Sequence, residues 1–130
     1  MAEQKQTIEL EYLINTSPFI LYNRLSTASG LAEWFADSVT ADGKVFTFTW
    51  SKADERAEQT LRKDCKSVRF QWLDQNDENA WFEFQIHVDE LTGDVALIIV
   101  DHVEPDDVND TIELWNKQVE TLKRCIGSLQ

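Results

Sequence analysis

The stretch VNDTIELWNKQVETLKRCIGSL, residues 108–129, carries apolar side chains at Val108, Ile112, Trp115, Val119, Leu122, Ile126 and Leu129. The steps alternate four and three, which lines these residues up along one side of a helix of about six turns. Asp106, Asp107 and Asp110 crowd its start, while Lys123 and Arg124 lie near its end. Both placements suit the helix dipole. A long helix with a single apolar stripe must lie against something, and the only surface large enough is the apolar face of a sheet.

That sheet is legible upstream. TIELEYLI alternates, with Ile8, Leu10, Tyr12 and Ile14 on one face and Thr7, Glu9 and Glu11 on the other, the pattern of a half-buried strand. In TSPFILYNRLS, Ser17 is placed as an N-cap and Pro18 at the first helical position, where no amide donor is needed. A second short helix is expected from Ser29, carrying Leu31, Trp34 and Phe35 and ending at Asp37. DSVTADGKVFTFTW then reads as two strands around Asp42-Gly43, a dipeptide suited to a tight hairpin. Its second strand puts Phe46, Phe48 and Trp50 on one face.

ERAEQTLRKDC and SVRFQWLD continue the meander, the latter grouping Val68, Phe70 and Trp72. DQNDEN makes a turn. WFEFQIHVDEL sets Phe82, Phe84, Ile86 and Val88 against Glu83, Gln85, His87 and Asp89. After a turn through Gly93, VALIIVDHV is apolar on both faces, which predicts a central strand covered on part of each side. One strand, two short helices, six strands and a long helix, in that order, predict an α+β domain of the helix-grip kind. In it a curved antiparallel sheet wraps the last helix and two short helices follow strand one. The prediction takes residues 1–130 as one such domain.

Composition narrows the partners. The chain has 24 acidic and 12 basic residues, a net charge of −12. That field repels phosphate backbones and anionic headgroups, so neither nucleic acid nor a membrane surface is an expected partner. Five Trp and seven Phe supply enough apolar area that no disulfide or metal is required to hold the domain together. Cys65 and Cys125 lack metal-type spacing. No apolar stretch follows MAEQKQ and no run approaches the ~20 apolar residues that span a bilayer. A cytoplasmic location with reduced thiols is therefore expected. Against the acidic background, Arg62, Lys63, Lys66 and Arg69 fall within eight residues. They read as the solvated tip of a hairpin, or as a docking point for an acidic partner or a ligand carboxylate.

Three pieces in order resemble a known family: SPFILYNRLSTASGLAEWF after the first strand, GKVFTFTW in the first hairpin, and WNKQVETLKRCIGSL at the end. They are similar to the START-like superfamily, which also contains pollen allergens and polyketide cyclases. Within it they look most like the branch named after the activator of the ninety-kilodalton heat-shock protein ATPase. That branch has a Leu–x–x–Trp–Phe signature, a Gly-containing turn and a strand ending in Trp. Leu31, Trp34, Phe35, Gly43, Phe46, Phe48 and Trp50 match it, and Trp115 with Leu122 matches its final helix. The eukaryotic co-chaperone has an additional N-terminal domain that supplies much of its chaperone contact, and 130 residues are expected to leave no room for one.

Three functions follow, in order. The resemblance implies a groove between sheet and final helix that binds a small apolar molecule. Phe46, Phe48, Trp50, Phe70, Trp72, Phe84 and Trp115 are the candidates to line it, with Trp34 and Phe35 at one end, unless these rings simply fill the space. Second is a protein-interaction module of co-chaperone-like type, with a filled core. Arg62, Lys63, Lys66 and Arg69 would steer its partner. Trp81, opposite in parity to Phe82 and Phe84, would anchor a protein or a second copy from the outer sheet face, or else merely lie against a neighbouring strand.

Third is an enzyme such as a cyclase or hydrolase. In DHVEPDD, Asp101, His102 and Glu104 suggest a general base or a metal site, but in a strand Asp101 and His102 point to opposite faces. No Gly-x-Ser-x-Gly, paired-Cys or His-x-x-x-His pattern appears. No catalytic residue, metal ligand or cofactor is named.

Overall fold

The computed structural model describes residues 5–51, 53–74, 77 and 80–127. After β1 (Gln6–Leu13), the Ser17 hydroxyl accepts the Ile20 amide at 3.1 Å and Pro18 opens α1 (Pro18–Ser26), as their order predicts. Thr27 then serves two helices. Its hydroxyl donates to the Asn23 carbonyl at 2.7 Å and accepts the Gly30 amide at 3.0 Å, capping α2 (Ala28–Leu31).

The second helix is thus one turn long. It starts one residue before the expected Ser29, and Trp34 and Phe35 lie beyond it, in the turns of residues 32–37. Those turns mix i→i−3 bonds, from Glu33 to Gly30 and Trp34 to Leu31, with an i→i−4 bond from Phe35 to Leu31 at 2.8 Å, and side chains anchor them. The Trp34 indole donates to the Arg24 carbonyl at 2.8 Å. The Phe35 carbonyl accepts from Trp50 Nε1 at 2.8 Å and from Gln118 Nε2 at 3.0 Å, so it is not free to continue a helix.

Six further strands complete the sheet: β2 (Ser38–Asp42), β3 (Val45–Trp50), β4 (Ala53–Lys63), β5 (Ser67–Trp72), β6 (Trp81–Val88) and β7 (Val95–Val103). Seven antiparallel strands run in the order β1-β7-β6-β5-β4-β3-β2. Gly43, at φ +61°, supplies the positive dihedral in the loop between paired Asp42 and Val45. A register shift at Gln59/Leu61 marks a bulge in β4, which adds local twist. β7 lies between β1 and β6 and is covered on both faces at its start, where Val95, Ala96 and Leu97 are all buried. The DQNDEN turn falls largely outside the described residues.

Register decides which side chains share a face. Phe46 and Phe48 of β3, Val68 and Phe70 of β5, Phe82 and Phe84 of β6 and Leu97 and Ile99 of β7 are buried on one side of the curved sheet. After a single 3₁₀ turn (Pro105–Asp107), α3 (Val108–Cys125) lies on that side. Trp115, Val119 and Leu122 are buried, while Val108, Ile112 and Ile126 are half-buried. Leu129 falls outside the described residues. Each fully covered stripe residue contributes roughly 1.5–3 kcal/mol relative to exposure. This is the predicted α+β helix-grip arrangement.

A second placement differs from expectation. Arg62, Lys63 and Lys66 do surround the β4–β5 turn, but Arg69 lies within β5, opposite Glu83 of β6, and not at the tip. The turn is tighter than the charge run suggested, with Cys65 at φ +59°.

Candidate functional site

The rings proposed to line a groove are packed on one another. Phe35, carried by the turn after α2, sits at their centre. Its ring centroid lies 5.5 Å from Trp34, 5.1 Å from Phe48, 5.3 Å from Trp50 and 5.7 Å from Trp115. Phe46 and Phe70 are 5.2 Å apart, Phe48 and Trp72 5.9 Å, and Phe84 and Trp115 5.8 Å. Spacings of 4.5–7 Å are those of aromatic pairs in contact. All nine candidates therefore belong to one network spanning sheet, turn and helix.

Phe82 joins that network, 5.4 Å from Phe35 and 5.2 Å from both Phe70 and Trp72, although it was not among the lining candidates. Its parity with Phe84 was the signal. At the rim the turn leaves a cleft of about 430 Å³ lined by Trp34, Phe35, Trp50, Gln118 and Thr121. Cys125 Sγ donates to the Glu33 carbonyl at 3.1 Å, tying the turn to the end of α3.

Asp101 and His102 diverge. Asp101 turns toward α3 and accepts Trp115 Nε1 at 2.9 Å and the His102 amide at 2.8 Å. His102 stands on the outer face, its ring 4.2 Å from that of Trp81. They cannot act on one substrate together. Burial pushes the Asp101 carboxyl above its ordinary value, and the hydrogen bonds from Trp115 and His102 pull back only in part.

A raised folded-state pKa means that the native protein binds this proton more readily than the unfolded chain does. The resulting stabilisation is present below the ordinary carboxylate value and disappears as pH rises through the raised one. Denaturant unfolding across that range is expected to show wild type losing stability relative to Asp101→Asn as pH increases. A difference that is flat with pH would refute the assignment.

Two surface regions hold the interaction candidates. On the outer face, the Arg69 guanidinium lies 3.9 Å over the Trp81 ring, and its Nε contacts Glu83 Oε1 at 2.7 Å. Gln85 donates to Glu83 Oε2 at 2.6 Å, and Glu83 is buried. Trp81 is thus half-covered by its own neighbours. At the end of the sheet, Arg62 stands 6.0 Å from the Tyr22 ring. Phe19, Tyr22, Asn23, Arg62, Asp64 and Cys65 line a groove of about 300 Å³ there. Phe19 is 72 % exposed, and sequence reasoning missed it because an apolar residue in an amphipathic helix is taken as core.

Among the described residues, no group of three or more His, Cys, Asp or Glu side chains is arranged to hold a metal ion. Nor is any helix among them long and apolar enough to cross a membrane.

Comparison with known proteins agrees with this geometry. The family model of the START-like superfamily domain matches residues 1–128. A Bacteroides fragilis protein solved in solution by NMR is 40 % identical over 98 % of this chain and 95 % of its own, with a TM-score of 0.69. The Aha1 dimer from Colwellia psychrerythraea is similar at 20 % identity over 91 % of this chain and 93 % of its own, TM-score 0.76. A Mesorhizobium loti protein is similar at 18 % identity over 96 % and 99 %, TM-score 0.75. No curated protein matches.

Proposed function

The chain belongs to the START-like superfamily, and we propose that within it this protein is an interaction domain, acting through its surface around a core filled by its own rings. One observation carries this reading. The side chains that would line a ligand groove meet each other from β3 across to α3, with Phe48, Phe70 and Phe84 fully buried. An apolar molecule entering between sheet and helix would have to part rings already in contact, losing dispersion on both sides. The partner is of the co-chaperone-like kind only in the sense that it is a protein. The Colwellia Aha1 dimer, at its low identity, lends the fold.

Tryptophan fluorescence tests the proposal, because Trp34, Trp50, Trp72 and Trp115 all belong to the network. Titration with palmitate and with a flat polycyclic aromatic is expected to leave emission and melting temperature unchanged. A saturable spectral change accompanied by a rise in melting temperature, as linkage requires of a native-state ligand, would replace this reading with the ligand-binding one.

The rim cleft beside Phe35 and Trp50 favours a second reading. Its volume of about 430 Å³ falls within the range of small-molecule sites. A ligand there would lie across two rings at the edge of the core, and Thr121→Trp would obstruct it. Under that reading the spectral change seen with wild type disappears in Thr121→Trp.

A further inference from the structure

Exposed apolar side chains are not spread evenly over this molecule. Of the seven large ones exposed among the described residues, Leu13, Phe19, Ile20, Val88 and Leu91 belong to a single end of the sheet. Pairing shows why. Leu13 faces Ala96 near the start of β7, Val88 faces Val95, and the Ile86 amide donates to the Lys66 carbonyl at 2.8 Å. The β4–β5 turn, the β6–β7 turn and the groove beside α1 therefore share that end. Leu13 and Val88 stand on opposite faces of the sheet there, so what this end offers is a clustering of exposed apolar side chains around its rim, of the kind that marks an interaction surface.

The two turns carry opposite charge. Arg62, Lys63 and Lys66 flank the groove, and among the described residues none is ion-paired with a carboxylate. The other turn reads Asp89-Glu90-Leu91-Thr92-Gly93-Asp94. It is ordered from within: Asp89 Oδ1 accepts the Leu91 amide at 2.8 Å and the Thr92 amide at 2.9 Å, and Gly93 adopts φ +77°. That scaffold holds Leu91 outward, 96 % exposed and flanked by carboxylates. The turns are about two strand spacings, roughly 10 Å, apart.

One end thus presents an aromatic groove whose rim carries Arg62, Lys63 and Lys66 against a single carboxylate, Asp64, and, beside it, an apolar tip rimmed by Asp89, Glu90 and Asp94. A surface bearing both halves is complementary to itself about a two-fold axis. We propose that this end is a dimer interface, in which the Glu90-Leu91 turn of each copy enters the groove formed by Phe19, Tyr22 and Arg62 of the other. This rests on the reading of the domain as acting through its surface, and it names the partner as a second copy of the chain.

Sedimentation velocity over a concentration series tests the interface through a reciprocal charge exchange. Arg62→Glu/Lys63→Glu gives a copy whose groove and tip are both negative, and Glu90→Lys/Asp94→Lys one in which both are positive. Asp89 is left in place because it holds the turn. Wild type is expected to dimerise, less so as salt is raised. Each charge variant alone is expected to associate about tenfold more weakly or worse, their mixture to form a heterodimer, and Leu91→Ser or Phe19→Ser to weaken association similarly.

A wild type that stays monomeric, or a dimer indifferent to these changes but broken by Trp81→Ala, would overturn the proposal. So would a mixture no tighter than its components. The fluorescence titration is read separately. A monomer with unresponsive tryptophans would sink the dimer and leave the interaction domain standing, whereas a core ligand would remove the latter whatever the dimer does.

Discussion

Phe35→Ala is expected to lower stability by about 3–5 kcal/mol, the range for deleting a buried aromatic side chain. In a domain of this size that moves the melting temperature on the order of 10 °C. Phe35 is only 4 % exposed and touches six other rings, from Trp34 beside it to Trp115 on α3. Because it comes from the turn after α2, it joins the short helices, the sheet and the long helix at one point. Its removal leaves a void walled by apolar rings, which is expected to stay dry and accept a small aromatic such as benzene. Benzene should raise the melting temperature of the variant and leave wild type unchanged. Equal responses from the two proteins would mean that the native core already holds usable space.

Gly30→Ala is expected to cost about 3 kcal/mol, the upper end of the usual overpacking range, because the contacts are with backbone. A Cβ at this position would lie 2.3 Å from the Asn23 carbonyl oxygen, 2.7 Å from Arg24 Cα and 2.8 Å from Thr27 Oγ1. Two of these atoms belong to the α1 backbone and cannot swing aside. The strain should push α2 away from α1 and with it the turn that carries Trp34 and Phe35. Loss of stability in denaturant unfolding should therefore come with altered near-ultraviolet circular dichroism from the tryptophans. Wild-type stability in Gly30→Ala would show that the α1–α2 contact is looser than these distances require.

The elements legible in the sequence were those whose signal is periodic. The stripe from Val108 to Ile126 and the parity of TIELEYLI depend on one chain segment each, and they hold; the alternation of WFEFQIHV holds in part, since Glu83 is buried and Val88 exposed. The second helix is shorter than its apolar pattern suggests because the chain passes into i→i−3 turns after Leu31, and the contacts that anchor Phe35 beyond it, from Trp50 and Gln118, come from distant segments not visible in the local pattern. Charge spacing grouped Arg69 with Arg62, whereas strand pairing sends it to Glu83 and Trp81.

A list of inward-facing rings could not decide between a lined groove and a filled core. That choice turns on centroid distances across three strands, a turn and a helix. The gathering of Phe19, Leu91 and Arg62 at one end was hidden for a related reason. It follows from which hairpin turns share an end, so it can be read only once strand order is known.

The proposed function requires that the sheet and its helix close on each other without a guest. Native mass spectrometry of freshly purified, undenatured protein addresses it most directly. Masses at multiples of the 15.1 kDa chain with nothing bound are expected. A lipid or metabolite retained at one per chain, and released only on unfolding, would contradict it.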